Sequence, residues 1–169
     1  QNIRKTRGVG ISGMAWGQGE LVATPASIAR LVSGISNHGM MVPHHFVLKI
    51  SDSTLPSKPP VQVAGTSEIA DLLAGFMKQQ SAGKRQQLGM AVAGKTGTPE
   101  RILKGRRIND GWYVFFAPKE KGSGHIVVCI RIEVTKGSSD AVRLAGSLVI
   151  PELLKRGYIK GFDAEAESN

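Results

Sequence analysis

Lys95-Thr96-Gly97-Thr98 combines a cation, two hydroxyls and a residue without a side chain, at the end of the small-residue run Gly89-Met90-Ala91-Val92-Ala93-Gly94. Set on a strand, these residues offer charge and hydrogen bonds to a carboxylate, and an open backbone edge to a peptide. The same letters fit G-x-x-x-x-G-K-[ST], with Gly89 and Gly94-Lys95-Thr96 at phosphate-loop spacing. The two chemistries need different surroundings. A phosphate loop requires a buried strand before Gly89 and a helix starting near Lys95, whose amides cradle phosphate. Lys84-Arg85-Gln86-Gln87-Leu88 is a poor buried strand, and Gly97 and Pro99 oppose a helix. No apolar strand ending in aspartate follows to hold magnesium. The residues therefore favour a strand, with Gly94 and Gly97 letting another backbone approach. Alternation puts Lys95 and Thr98 on opposite faces. For both to serve one site, Thr98 must act partly through its backbone N–H, or the strand must twist. An exposed lysine on an ordinary strand is the other reading these residues leave open.

The elements that must position this stretch follow from periodicity. Residues 1–19 read as a glycine-rich loop. Thr24-Pro25 opens a helix over 24–38, a capping hydroxyl followed by proline at the first helical position. Asn37-His38-Gly39 stops it. Residues 46–50 read as a short strand, and 51–65, with three prolines among serines, as an exposed loop. A second helix spans 66–80, where Ile69, Leu72, Leu73, Phe76 and Met77 form an amphipathic stripe. Residues 81–87 read as polar loop. A three-strand antiparallel meander is expected over 90–134, built from strands 90–98, 112–117 and 125–134. A basic loop, 100–110, joins the first two, and a turn at Gly122-Ser123-Gly124 joins the last two. A final helix over 140–156 is capped by Ser138-Ser139-Asp140 and ended by Gly157. Leu144, Leu148, Ile150, Leu153 and Leu154 give it an apolar face. The tail, 163–169, is polar and frayed. The order implies an α+β fold, an antiparallel sheet with helices packed on it.

Composition narrows the classes. The chain has 169 residues, enough for one domain or a large piece of one, and 41% of them are hydrophobic. A single cysteine, Cys129, excludes an intrachain disulfide, and its apolar neighbours mark it as a structural thiol. No apolar run reaches the roughly 18 residues of a membrane span. No signal peptide opens the chain, and its polar start reads as the middle of a longer protein. The net charge is +9, yet aromatics are not interleaved with the basic residues and no nucleic-acid-binding motif is present. Attraction to an anionic polymer or lipid surface, or plain solvated charge, remains. No metal or cofactor is expected.

Taken in order along the chain, these motifs resemble the C-terminal part of a penicillin-binding protein transpeptidase domain. Lys95-Thr96-Gly97-Thr98, preceded by Ala91-Val92-Ala93-Gly94, is similar to the family's third motif. Gly17-Gln18-Gly19 with Thr24-Pro25, then Ile35 to Gly39 with Val42-Pro43, resembles the segment around a long helix. Gly111-Trp112-Tyr113-Val114-Phe115-Phe116-Ala117-Pro118 resembles the following strand. The match runs over roughly residues 8–157. It implies a sheet flanked by helices, a partial fold lacking the N-terminal part and the helical subdomain, with the third motif lining the cleft. By the resemblance, Lys95 would supply charge and help proton transfer, Thr96 and Thr98 would bind a carboxylate, and Gly97 would permit close approach. The Thr98 N–H would donate to the oxyanion, so Lys95 and Thr98 are the catalytic candidates. Gln18 is carried over as a cleft contact, the alternative being a structural Gly17-Gln18-Gly19 turn.

The resemblance also implies what the chain does not supply. The family's nucleophile lies in Ser-x-x-Lys, and Ser-x-Asn follows it, both well ahead of Lys-Thr-Gly. Ser81-Ala82-Gly83-Lys84 matches the first pattern but stands just before the third motif, in a polar loop, whereas a nucleophile needs a rigid position. It reads as chance. Ser138-Ser139-Asp140 follows the third motif and reads as a helix cap. Pro99-Glu100 departs from the small and amide residues common in the family. The expected activity is that of a D,D-transpeptidase acting on stem peptides ending in D-Ala-D-Ala and acylated by β-lactams, in the bacterial cell envelope, its parent held by an N-terminal membrane anchor. The alternatives are a D,D-carboxypeptidase, a serine β-lactamase or β-lactam sensor, or a non-catalytic binding module. Apolar surface left for the missing N-terminal part would favour self-association.

Overall fold

A computed structural model describes residues 22–162 except 44–46, 48, 55, 57 and 64. Gln18, the 1–19 loop and the 163–169 tail therefore lie outside the described residues. Helix α1 (Pro25–Ser36) starts where Thr24 accepts a hydrogen bond from the Ser27 N–H and proline fills the first turn. It ends with His38 and Gly39 both at positive φ, and the Gly39 N–H returning to the Gly34 carbonyl at 2.8 Å. Short strands follow: β1 (Met40–Met41), β2 (Lys49–Ile50), β3 (Ser53–Thr54) and β4 (Val61–Gln62), pairing β1 with β4 and β2 with β3. The expected 51–65 loop thus contains two paired strands, and of the expected 46–50 strand only Lys49–Ile50 is one among the described residues. Helix α2 (Ser67–Ala82) is capped by Thr66, and a turn of helix, α3 (Arg85–Leu88), occupies part of the expected 81–87 loop.

The main sheet is antiparallel and has four strands, one more than the expected meander. They are β5 (Ala93–Gly97), β6 (Glu100–Leu103), β7 (Arg106–Pro118) and β8 (His125–Thr135). The correction lies at 100–110, expected as a loop. Lys104 at φ 48° and Gly105 at φ 75° make a two-residue hairpin turn, so the basic stretch folds into β6 and the start of β7. Two consecutive left-handed residues match the twist of paired strands, and the dipeptide ends in glycine as such turns prefer. β5 and β6 lie end to end along one edge of β7, and β8 pairs with the other.

Alternation sorts the sheet's side chains into two layers. Tyr113, Phe115 and Ala117 pack with Val92, Ala141, Val142, Ala145 and Ile150 beneath the C-terminal helix. That helix runs as α4 (Ser138–Leu144), a π-helical stretch Ala145–Val149, and α5 (Ile150–Lys155). A side chain at Gly146 would collide with the Gln87 carbonyl, so glycine lets the helix seat closely on α3. Of the expected apolar face, Leu144, Ile150 and Leu153 pack against this cluster while Leu148 and Leu154 are exposed, and the small residues Ala141, Val142 and Ala145 complete the packing. Val114 and Phe116 on the other layer pack with Ala93, Val32 of α1 and Met77 of α2. The predicted stripe of α2 largely faces away from this layer. Ile69, Leu72, Leu73 and Phe76 are exposed, and only Met77 of the five is buried.

Candidate active-site wall

The motif occupies β5 and the two residues after it. Lys95 stands opposite Val114 and Gly97 opposite Trp112, which puts both on the layer shared with α1 and α2. Thr96 stands opposite Tyr113, on the layer of the C-terminal helix. Lys95 is exposed, and its ammonium donates to the Thr96 carbonyl at 2.8 Å. Thr98 follows the strand's end. Its Oγ1 accepts the Ser138 N–H at 3.1 Å, on the side opposite Lys95. The bond fixes the oxygen and leaves the hydroxyl proton free to donate. The structure therefore resolves the alternation problem in one way. Lys95 and the Thr98 side chain lie on opposite faces, and what Thr98 can offer towards the Lys95 side is backbone.

The two glycines of β5 differ. A Cβ on Gly94 would stand 2.5 Å from the Tyr113 hydroxyl and 2.8 Å from its ring, so glycine is required by the chain's own packing. A Cβ on Gly97 would meet only the Trp112 Cβ, at 3.5 Å, an ordinary contact. The space above Gly97 is left open by the chain itself. β5 also has a strand on one side only among the described residues, which leaves its outer edge for an extended ligand.

Two features that anchor the motif were not foreseen. Asp110, 2% exposed, accepts from Arg101 Nε at 3.0 Å, Arg131 Nη2 at 2.8 Å and the Val134 N–H at 3.1 Å. Its own N–H donates to the Pro99 carbonyl. Burial pushes its carboxyl up, but these donors together outweigh burial and hold it down at about 2. The network pins the break between β5 and β6, directly after Thr98. Asp110, standing just before the apolar run Trp112 to Ala117, was the available signal. The second feature is the N-terminus of α4. Ser138, Ser139 and Asp140 were expected to cap it, but no side chain of theirs does. The cap comes from Thr98, 40 positions earlier, while Asp140 binds Thr135 and Arg143.

The competing motifs fail on geometry. Gly89, at φ 76°, ends α3, and Lys95 lies within a strand, so neither the buried strand nor the helix of a phosphate loop is present. Ser81 is buried and shares a 3.1 Å hydrogen bond with the Tyr113 hydroxyl, while Lys84 Nζ donates to the Gln80 carbonyl. They make no nucleophile–base pair. Burial pushes the Cys129 thiol up and the Tyr113 phenol up, as structural groups. No group of histidine, cysteine and acidic side chains among the described residues could hold a metal.

Comparison with known proteins decides the family. Residues 1–149 match the family described as the penicillin-binding protein transpeptidase domain. The chain belongs to this family. Solved structures agree on the fold. The D,D-transpeptidase domain of a peptidoglycan glycosyltransferase from Eggerthella lenta is 24% identical with a TM-score of 0.59, over 80% of this chain and 33% of that one. Penicillin-binding protein PBP2 from Helicobacter pylori, solved in complex with MreC, is 24% identical with a TM-score of 0.63, over 87% and 27%. PBP2 from Pseudomonas aeruginosa is 23% identical with a TM-score of 0.62, over 88% and 33%. The chain thus spans about a third or less of the length of these structures. No curated protein matches it. No helix among the described residues is long and apolar enough to cross a membrane.

Proposed function

We propose that this chain is the C-terminal part of a peptidoglycan D,D-transpeptidase, and that it forms one wall of the cleft without supplying the nucleophile. The observation that carries this reading is the β5 edge. It has a lysine on the α1–α2 layer, open space over Gly97, and a Thr98 whose hydroxyl is anchored from behind. In this reading a serine elsewhere in the parent attacks the carbonyl of the penultimate D-Ala, releases the terminal D-Ala, and passes the acyl group to an amine. Lys95 attracts the substrate carboxylate and assists proton transfer, and the Thr96 and Thr98 hydroxyls, whose side chains lie on the opposite face, reach that carboxylate around the open edge of β5. The Thr98 N–H donates to the oxygen on which charge develops. Losing one such donor costs about 100- to 1,000-fold in rate. Gln18 is proposed as a further cleft contact. The exposed side of α2 is where the remainder of the transpeptidase domain would pack, and the parent would work in the cell envelope.

Fluorescent penicillin tests this. The full-length parent should be labelled on a serine outside these residues, and the chain alone should stay unlabelled. Label mapped to Ser81 would overturn the assignment of the nucleophile. A parent that takes no label would favour a non-catalytic binding module. Turnover with an added acceptor amine separates a transpeptidase from a carboxypeptidase, a β-lactamase or a β-lactam sensor.

A further inference from the structure

The basic hairpin continues the wall. β6 extends the edge begun by β5, and the register carries one face across both. Lys95, Gly97, Arg101 and Leu103 share that face with Trp112, Asp110, Ile108 and Arg106 on β7, since opposed residues face alike and alternate residues repeat the face. Arg131, opposite Trp112, bears this out by lying over the Trp112 ring and bonding Asp110. Residues 100–107 hold four cations and one acid. Arg101 is taken up by Asp110 and Glu133, and Arg107 by Glu100. Lys104 at the turn and Arg106 beside it are exposed and enter no ion pair among the described residues. Leu103, opposite Arg106, is also exposed.

Direction fixes what would lie there. With the ligand's terminal carboxylate drawn towards Lys95, and the attacked carbonyl at the Thr98 N–H, the ligand runs antiparallel to β5. Its upstream residues then pass along β6. From Thr98 to Leu103 is about 17 Å of strand, room for several extended residues. We propose that Arg106, with Lys104, forms a subsite for a carboxylate on the donor peptide upstream of the attacked bond, with Leu103 beneath it. This rests on the transpeptidase reading and adds a substrate preference to it. The subsite selects acidic stems and is not used by ligands too short to pass Pro99.

The test uses the full-length parent and synthetic pentapeptides ending in D-Ala-D-Ala, with a carboxylate at each upstream position in turn, against the matching carboxamides. At one position the wild type should favour the carboxylate by about 5-fold in kcat/KM, mostly through KM, the scale of an exposed ion pair. Added salt should erode the preference. Arg106→Ala should abolish it and Arg106→Glu reverse it, with the rate of penicillin acylation unchanged, because a small β-lactam does not reach the hairpin. A wild type indifferent to the carboxylate, or a preference that survives Arg106→Glu, overturns the subsite while leaving the transpeptidase reading intact. A parent that penicillin does not acylate takes both down.

Discussion

The two sides of the sheet are finished to different degrees. On one, Tyr113, Phe115 and Ala117 disappear under a C-terminal helix whose buried positions are mostly small, and the layer is closed. On the other, α1 and α2 cover Val114 and Phe116 with Val32 and Met77 but also carry apolar residues outward, with Leu31, Leu72, Leu73 and Phe76 all exposed. These outward apolar residues are covered by nothing among the described residues. The closed side holds the sheet together, and the open side carries Lys95 and the space over Gly97.

The sharpest way to probe this contrast is to remove one large ring from the closed side. Phe115 is fully buried in the closed cluster. Phe115→Ala is expected to lower the unfolding free energy by about 3–5 kcal/mol, through lost burial and the cavity left behind. Denaturant unfolding of the chain measures it. A loss below about 1 kcal/mol would mean that the closed layer does not carry the fold.

The Asp110 junction lies on the open face, where β6, β7 and β8 meet. Asp110→Asn removes a buried charge from two arginines and should cost about 3 kcal/mol. The same carboxylate sets an acid limit. Its folded value of about 2 lies below the 3.8 of a free aspartate, so the folded state favours the ionised form. That contribution, about 2 kcal/mol, is fully present above pH 4 and is lost as pH falls from about 4 towards 2. Unfolding curves at pH 5 and pH 2.5 should converge for wild type and Asp110→Asn at the lower pH. An unchanged difference between them would break the assignment of this window to Asp110.

Within β5 the same contrast shrinks to two glycines three residues apart. Gly94→Ala drives a methyl into the Tyr113 ring, which Ser81 holds in place, and should cost about 1–3 kcal/mol. Gly97→Ala meets only ordinary contact and should change stability by less than about 0.5 kcal/mol. It should instead reduce penicillin labelling of the full-length parent. Equal stability losses at both sites would show that Gly97 is also a packing glycine and that no space is reserved there.

Sequence patterning reached the elements and the motif's strand, and failed where the answer depended on what lies beside a residue. The 66–80 periodicity located α2 but could not tell whether the sheet lay behind Leu72 and Phe76 or behind Ala70 and Met77, because an amphipathic stripe names a face and not its neighbour. The basic 100–110 stretch looked like loop because charge masked a short strand pair. Lys104-Gly105, a dipeptide able to take two left-handed conformations, was the missed signal. The cap on α4 was invisible for another reason. Local rules seek the capping hydroxyl one to three residues before the helix, and here Thr98 brings it from across the sheet. That bond also ties the motif to the closed side, so the open wall is positioned from behind.

The smallest expected effect on stability tests the open side most directly. Leu72 and Phe76 are more than half exposed, so Leu72→Ser with Phe76→Ser should shift the unfolding free energy of the isolated chain by less than about 1 kcal/mol. An apolar strip of this kind drives association in water. Sedimentation should therefore find the wild-type chain self-associating, and the double variant shifted towards monomer with weaker binding of an apolar dye. The two measurements discriminate because they respond to different states. Stability reads the burial each side chain already has within the fold, and association reads the burial it still lacks. If the double variant instead unfolds as readily as Phe115→Ala, the strip is part of the chain's own core and the open side is closed after all. If stability holds but wild type is strictly monomeric, the strip is too small to recruit a second copy through apolar area alone.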